Sequence, residues 1–265
     1  MEWMFLALIG SSFLAAVNTL DKTILHGYIR NASAFTLLIG IAQITVGVVV
    51  TLATVRYVEY SLAATGWALL FGALWGMAAV FLLRTLHKQE VTRVIPVFQI
   101  YPIFAALMAF GFLGEILSSL QWASVFIVVT GGALLSVRRD TVNRHLFLHR
   151  SFFVLILASM IAGAGHVTGK LALEGLPILA VHGIRNLALG GVLVAASMRP
   201  EAFSEVKDLV RAGSRGLKIM AVNELIVVNV GLLLILWALS LGPVALVTTI
   251  TATSSFFVFL YSTLL

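Results

Sequence analysis

Apolar residues form long continuous runs along this chain, and short polar stretches separate the runs. A run of about 20 apolar residues is long enough to cross the hydrocarbon core of a bilayer as a helix. A membrane β-barrel would instead show alternating segments of about ten residues. The pattern therefore predicts an all-α integral membrane protein. Its nine predicted spans are 3–21, 33–54, 62–83, 94–114, 117–137, 151–172, 177–197, 218–240 and 244–265.

The composition leads to the same class of protein. Of the 265 residues, 60% are hydrophobic and only 11% are charged, and the mean hydropathy is +1.06. A soluble domain carries about a quarter charged residues, so this chain could not cover a water-facing surface. The absence of cysteine excludes disulfides and thiolate chemistry. The first run lacks a basic n-region and a small-residue cleavage site, so we interpret it as a retained span.

The positive charges are distributed unevenly among the loops. The net charge of +6 would suit nucleic acid, but in a membrane protein such an excess usually reflects cytoplasmic loops, and we expect no nucleic-acid partner. By the positive-inside rule the odd-numbered loops face the cytoplasm and the N-terminus faces out, in a multi-pass protein of the cell membrane. Fourteen of the 17 Lys and Arg residues follow spans one, three, five and seven: Lys22, Arg30, Arg84, Lys88, Arg93, Arg138, Arg139, Arg144, Arg150, Arg199, Lys207, Arg211, Arg215 and Lys218.

The loop 199–218 carries an apolar stripe at helical spacing. Phe203, Val206, Leu209 and Val210 fall opposite charged residues. This pattern is typical of an amphipathic helix lying on a membrane surface. Such a helix serves either as a solvated connector or as a binding arm.

The chain also shows a weak internal repeat. With an offset of 153 positions, 247–265 aligns with 94–112, and with an offset of 148 Lys170 aligns with Lys22 and His166 with Asn18. Because five spans is an odd number, two such units must sit in the membrane with opposite orientations, as in many secondary transporters. We expect one unit over 1–140 and a second over 151–265. The second would lack its fifth helix, so either the chain is a fragment, which we favour, or it ends at nine spans.

The stretch "VIPVFQIYPIFAALMAFGFLGEILSSLQWASVFIVVTGGALLSV" (94–137) resembles the end of an EamA repeat of the drug/metabolite transporter superfamily. The second half, with "GHVTGKLALEG" and "AVHGIRNLALGGVL", is similar to the start of such a repeat, with Lys170 and Arg185 at the family's basic positions. Two departures are Leu37, which aligns with Arg185, and Ser255, which aligns with Pro102. The residues that match the first repeat are Pro102, Leu113, Gly114, Glu115, Gly131 and Gly132.

The resemblance implies two inverted five-helix repeats and a secondary transporter. It also implies that both termini lie in the cytoplasm, whereas the distribution of basic residues predicts an N-terminus outside.

Two prolines interrupt the fourth predicted span. Pro96 and Pro102 each free a backbone carbonyl about one turn earlier, and freed carbonyls in a membrane must face protein or a watery cavity. We expect the span to line a cavity with Gln99 and Tyr101 and to bend there as access switches. The alternative is a static kink that improves packing.

The same span ends at Gly114-Glu115. A carboxylate at this position can accept hydrogen bonds from the first N–H groups of the next helix, the fifth span. The alternative role for Glu115 is direct ion binding. Elsewhere, the spacings Gly72/Gly76 and Gly165/Gly169 predict close helix packing.

Ionisable side chains inside spans indicate function by default. His166, Arg185 and Glu224 lie inside spans, and Asn229 lies near Glu224. Arg185 suits a carboxylate or phosphate group, and a histidine or buried glutamate can carry a coupling proton. The alternatives are a structural ion pair between Arg185 and Glu224, and a histidine packed for structural reasons. Lys170, near the opposite interface, is expected to extend its amine toward the headgroups.

These residues predict a secondary transporter that exports a small polar metabolite, such as an amino acid, by alternating access. Its partners are the lipid bilayer, the substrate and a coupling proton; we expect no cofactor, no metal and no catalytic residue, and no feature indicates an oligomeric state. A membrane-embedded enzyme or a non-transporting scaffold remains the alternative. The predicted substrate-binding residues are Gln99, Tyr101, His166, Arg185, Glu224 and Asn229, with Pro96, Pro102, Gly114 and Glu115 as structural or hinge residues.

Overall fold

The computed structural model describes residues 2–29, 31–86, 91–136, 150–211, 213 and 215–264. A π-helical segment, Asn223–Val227, joins α10 to α11. The α-helices of the described residues are α1 (Glu2–Gly27), α2 (Ala32–Thr54), α3 (Leu62–Leu86), α4 (Val91–Phe98), α5 (Tyr101–Leu113), α6 (Ser119–Ser136), α7 (Arg150–Gly175), α8 (Ile178–Ala196), α9 (Pro200–Arg211), α10 (Arg215–Val222), α11 (Val228–Leu241), α12 (Val244–Ala252) and α13 (Ser254–Leu264).

Seven helical stretches in the described part of the chain are long and apolar enough to cross a membrane. The predicted class, an all-α multi-pass membrane protein, is therefore confirmed. Two further apolar helices, Tyr101–Leu113 and Ser119–Gly131, are shorter than a full span, so the count of nine spans stays a prediction. The seven long stretches are Glu2–Leu25, Ala32–Thr54, Leu62–Leu86, Phe152–Gly175, Ile178–Ala196, Arg215–Leu241 and Val244–Tyr261.

The helix limits recur along the chain at nearly constant offsets. Both ends of α7 lie 148 positions after the corresponding ends of α1. The first residues of α10, α12 and α13 each lie 153 positions after those of α3, α4 and α5. The offset changes from 148 to 153 after α8. Helix α9 follows at this point, whereas no helix lies between α2 and α3, the corresponding place earlier in the chain. The sequence offsets of 148 and 153 thus coincide with helix boundaries.

The packing pairs helices from the two parts of the chain. Two pairs of contacts correspond at these offsets. Helix α3 packs on α7, and α1 packs on α11; in the same way α5 packs on α7, and α1 packs on α13. Helix α2 packs on α8, where a Cβ on Gly40 would lie 3.0 Å from the Gly190 carbonyl oxygen and a Cβ on Gly190 would lie 2.6 Å from that of Gly40. Glycine permits this close contact between the helices.

The predicted glycine spacings pack as expected. A Cβ on Gly76 would meet Val192 of α8, and a Cβ on Gly72 would overlap the Arg185 carbonyl oxygen. Gly165 and Gly169 of α7 accept the rings of Trp75 and Phe71 against their backbone. Helix α3 is therefore held tightly between α7 and α8.

Helix α9 confirms the predicted amphipathic helix in the loop 199–218. Val206 and Leu209 are partly buried and pack against a cluster that includes Ile24 and Phe35, whereas Phe203 and Val210 are exposed. One part of the apolar stripe therefore packs on the protein, and the other part is free to contact lipid.

Candidate functional site

The fourth predicted span is broken between α4 and α5, close to Gln99. Pro102 has no N–H to give to the Phe98 carbonyl, four residues earlier. Ser159 Oγ lies 2.9 Å from the Phe98 carbonyl oxygen, so its single hydroxyl hydrogen can be donated to this freed carbonyl; the Val97 and Leu155 carbonyls, at 3.0 Å and 2.9 Å, are its other acceptors. The predicted break and its rescue by protein are both observed. Pro96 lies within α4, one turn before the break.

A second break separates α12 from α13 at Thr253. The Thr253 N–H and hydroxyl both donate to the Ile250 carbonyl, at 3.0 Å and 2.6 Å. Back-bonding of this kind bends helices without proline. Gln99 Nε2 lies 3.4 Å from Ser254 Oγ, so the two breaks meet at this pair of side chains.

Aromatic rings surround the first break. Tyr101 and His166 stack with centroids 5.3 Å apart, and Trp75 meets the His166 ring edge-on at 5.2 Å. Phe98 lies 5.9 Å from Tyr101. His166 Nδ1 lies 3.1 Å from the Ala162 carbonyl oxygen and donates to it in the matching tautomer. Two of the predicted binding residues, Tyr101 and His166, are therefore in direct contact.

Arg185 is buried at the centre of α8, with 3% of its surface exposed. Its guanidinium carbon lies 4.9 Å from the centroid of the Phe71 ring, a cation–π arrangement. One guanidinium nitrogen donates to Asn186 Oδ1 at 2.9 Å, and Nε has no partner. Among the described residues Arg185 makes no ion pair with Glu224, so the direct pair considered from the sequence is not formed.

Asparagine amides link Arg185 to the π-helical segment instead. Asn186 Nδ2 donates to Asn229 Oδ1 at 2.8 Å, and Asn229 Nδ2 donates to the Glu224 backbone carbonyl at 2.7 Å. His182 Nε2 lies 3.0 Å from Asn229 Oδ1. Arg185, Glu224 and Asn229, all predicted from the sequence, therefore belong to one buried hydrogen-bond network.

The π-helical segment holds the Glu224 carboxylate inside the protein. Helix α11 begins with the Val228 N–H bonded to the Asn223 carbonyl, five residues earlier; such widened turns are frequent at functional sites. Glu224 Oε2 accepts from Gln43 Nε2 at 3.2 Å, and Oε1 lies 3.4 Å from Asn223 Nδ2. The same Asn223 nitrogen donates to Asp21 Oδ1 at 2.8 Å.

Several buried polar atoms of the described residues have no hydrogen-bond partner. Buried polar groups normally find a partner in protein or ordered water, so such atoms need an explanation. Three of these atoms, Thr51 Oγ1, Thr65 Oγ1 and Ser255 Oγ, are hydroxyl oxygens outside the network. The other five lie along the network and at the first break: Gln43 Oε1, Asn223 Oδ1, His182 Nδ1, Arg185 Nε and Gln99 Oε1.

Sequence reasoning missed three members of this network, although each left a signal. His182 and Asn186 are one helical turn apart on α8 and flank Arg185, a spacing that brings two side chains onto one face. Gln43 is the only amide side chain in the apolar helix α2. A polar residue in an otherwise apolar span marks a functional position by default.

Glu115 caps a helix, but a different one from that predicted. Gly114 ends α5 at φ 67°, and the Glu115 carboxylate accepts the Val244 N–H at 2.7 Å and the Ala245 N–H at 3.3 Å, at the start of α12. The following helix, α6, begins at Ser119 and is capped by a reciprocal pair, Ser118 and Gln121. The capping chemistry was therefore predicted correctly and the partner helix was not.

Lys170 binds the turn between α11 and α12, on the α11 side. Its Nζ donates to the carbonyls of Leu239, at 2.7 Å, and Gly242, at 3.1 Å, at the end of α11. Its side chain therefore turns inward onto a helix C-terminus, where cations are favoured, rather than extending to the headgroups.

The comparisons with known proteins bear on the fold alone. No family model and no curated protein matches the chain. A solved structure described only as "Crystal structure of protein" is similar, with a TM-score of 0.65 and 16% sequence identity, covering 99% of this chain and 86% of that one. The fold and the seven apolar helices define a multi-pass α-helical membrane protein. At this identity the likeness shows the fold alone.

Proposed function

We propose that this chain is a secondary transporter of the EamA-like type, which exports a small polar metabolite such as an amino acid across the cell membrane by alternating access. One observation carries the proposal: a buried polar network with Arg185 at one end, in which that cation has no carboxylate partner among the described residues. A buried, unpaired charge is expensive. A substrate carboxylate would supply the missing partner.

The position of the network supports an inverted-repeat carrier. It lies between α2, the π-helical segment and α8, which come from the two proposed repeats, 1–140 and 151–265. Two related five-helix units would produce the recurring helix limits. They would also produce the corresponding contacts, α3 with α7 and α1 with α11. Carriers of this plan bind substrate near the bilayer midplane between their repeats.

The chemistry of the network suits a small polar solute. Arg185 presents donors to a carboxylate, with unpartnered Nε facing no acceptor. Asn229 and Gln99 offer amide groups, and Tyr101 with His166 offers a stacked aromatic surface. His166 or Glu224 would carry the coupling proton.

The two helix breaks are the points at which we expect the protein to bend when the substrate site opens to one side of the membrane or the other. The break before Tyr101 and the break at Thr253 each interrupt the helical hydrogen-bond ladder, and they face one another through Gln99 and Ser254. Residues at the ends of helices absorb the dihedral changes of domain motions. We therefore assign alternating access to bending at these two points.

The test is counterflow in proteoliposomes. Vesicles containing the purified protein are loaded with an unlabelled pool of amino acids and other small polar metabolites, and uptake of each labelled compound is measured against protein-free vesicles. We expect saturable exchange of at least one compound with a carboxylate. Lack of exchange across the panel would favour a scaffold, and chemical turnover of a lipid or metabolite would favour a membrane-embedded enzyme.

A further inference from the structure

Two carboxylates from distant parts of the chain meet beside the π-helical segment. Asn223 Nδ2 donates to Asp21 Oδ1 at 2.8 Å and lies 3.4 Å from Glu224 Oε1. The two carboxylate oxygens therefore cannot be further apart than the sum of these distances. Glu224 is 2% exposed, while Asp21 is partly exposed. Two negative groups this close in an apolar environment repel strongly unless a cation accompanies them or one of them takes up a proton.

The amides that hold these carboxylates leave two buried oxygens without partners. Gln43 donates through Nε2 to Glu224, and its Oε1 accepts no hydrogen bond; Asn223 Oδ1 also has none. Asn223 is 0% exposed and Gln43 is 2% exposed. Since oxygen and nitrogen are the two ends of one planar amide, a half turn of each amide would present its oxygen where its nitrogen now faces the carboxylates.

We propose that Asp21, Glu224, Asn223 and Gln43 form a binding site for Na⁺. The four side chains supply two carboxylate groups and two amide carbonyl oxygens, and hard cations take oxygen ligands. The site lies against an irregular helical turn, the π-helical segment, and carriers coordinate Na⁺ at irregular helical turns. The partly exposed Asp21 gives the ion a route to the buried oxygens.

The number and type of these oxygens favour Na⁺ over other cations. A proton shared by two carboxylates would need only their own oxygens and would leave both amide oxygens without a role. Ca²⁺ takes 6–8 oxygens, and Mg²⁺ keeps several of its waters. With one oxygen each, the three buried side chains and the partly exposed Asp21 supply four ligands, fewer than Ca²⁺ takes, and this favours Na⁺.

The surroundings leave the two carboxylates without a positive partner among the described residues. The π-helical segment packs against α1, α2, α10 and α11. Helices α2 and α11 contain no charged residue, and Arg215 and Lys218 of α10 are exposed. Arg185 is separated from Glu224 by two asparagine amides. The side chains of Lys22 and His26 on α1 lie outside the described residues.

The first test uses the wild-type protein in lipid nanodiscs. Its thermal unfolding midpoint and its binding of radioactive Na⁺ are measured in NaCl, KCl, choline chloride, MgCl₂ and CaCl₂ at constant ionic strength. We expect saturable Na⁺ binding and a midpoint that rises with Na⁺ concentration as ligand linkage requires. Equal midpoints in NaCl and choline chloride, a preference for a divalent ion, or a response to pH alone would overturn the site.

Variants then assign the ligands. Asp21→Asn and Glu224→Gln should each weaken Na⁺ binding at least about tenfold, because each removes a charge from the ion. Gln43→Met keeps both carboxylates and a similar shape but removes the amide oxygen, and it should weaken binding as well. Glu201→Gln, which neutralises an exposed carboxylate in the first turn of α9, is the matched control. Unchanged affinity in Gln43→Met would exclude Gln43 as a ligand and overturn the four-residue site.

The inference stands apart from the transport proposal, because binding is measured without flux. Na⁺ binding with no metabolite exchange would defeat the transport proposal alone. Metabolite exchange at equal rates in Na⁺ and choline, with no Na⁺ binding, would defeat this inference alone.

Discussion

Helix limits recur along the described chain at offsets of 148 and 153 positions, but several residues that align at these offsets differ in polarity. At the offset of 153, Glu224 corresponds to Phe71 and Asn229 to Gly76; at the offset of 148, Arg185 corresponds to Leu37. The second half therefore carries most of the buried polar network, and the first half supplies apolar surface against it. Phe71 itself lies under the Arg185 guanidinium. Positions that align by helix limits therefore differ in whether they carry polar or apolar side chains.

The two helix breaks differ in the same way. The first depends on Pro102 and on Ser159, whose hydroxyl can donate to the freed Phe98 carbonyl. The second has Ser255 at the position equivalent to Pro102 and depends on the back-bonded Thr253. Similar bends therefore arise from different local causes, and the chemistry of each break can be altered separately.

The largest effect is expected from giving α8 the residue of the first half, Arg185→Leu. Loss of a charge-assisted hydrogen bond to a substrate carboxylate costs about 2–3 kcal/mol, on the order of a hundredfold in exchange rate. Stability should be unchanged or higher, because an unpaired buried charge is removed. Proteoliposome exchange and the thermal unfolding midpoint measure the two effects.

Arg84→Leu is the matched control for this change. Arg84 is exposed and donates to the Ala196 carbonyl at the end of α8, so its loss should leave exchange intact. A fully active, folded Arg185→Leu protein would mean that Arg185 is structural and that the proposed substrate contact is wrong.

A medium effect is expected where the two halves touch most closely, in Gly72→Ala. The added Cβ would overlap the Arg185 backbone carbonyl, and because backbone cannot move aside cheaply, the overpacking should cost about 1–3 kcal/mol. Gly66→Ala on the same helix has open space around the new Cβ. It should be neutral or slightly stabilising, since alanine favours the helix. Denaturation of both variants in detergent compares them; equal stability would contradict the close α3–α8 contact.

The smallest effect concerns the two breaks. Pro102→Ala restores an N–H that competes with Ser159 for the Phe98 carbonyl, which should straighten the span and slow exchange about tenfold, a loss of about 1.4 kcal/mol. Ser255→Pro places a proline in the first turn of α13, where helices tolerate it, and should change exchange little. Unchanged exchange in a well-folded Pro102→Ala protein would assign this break to packing alone.

Local patterns in the sequence predicted the features that local chemistry decides. Apolar runs predicted the long helices, and Pro102 predicted the first break, because each effect acts within a few residues. The break at Thr253 was not predicted, since threonine back-bonding occurs in many unbroken helices. The partner of Glu115 was missed because the acceptor and the start of α12 are 129 positions apart in sequence. The joining of His182, Asn186 and Gln43 to Arg185 and Glu224 depends in the same way on tertiary packing.

The turn between α11 and α12 has a mechanical consequence. Lys170 holds the carbonyls before the turn, and Glu115, from the other half of the chain, holds the N–H groups after it. Removing Glu115 would leave two backbone N–H groups without their acceptor, and a hydrogen bond to a charged group contributes about 1.5–3 kcal/mol. We therefore expect this corner, which joins residues far apart in the sequence, to be among the last contacts of the fold to open.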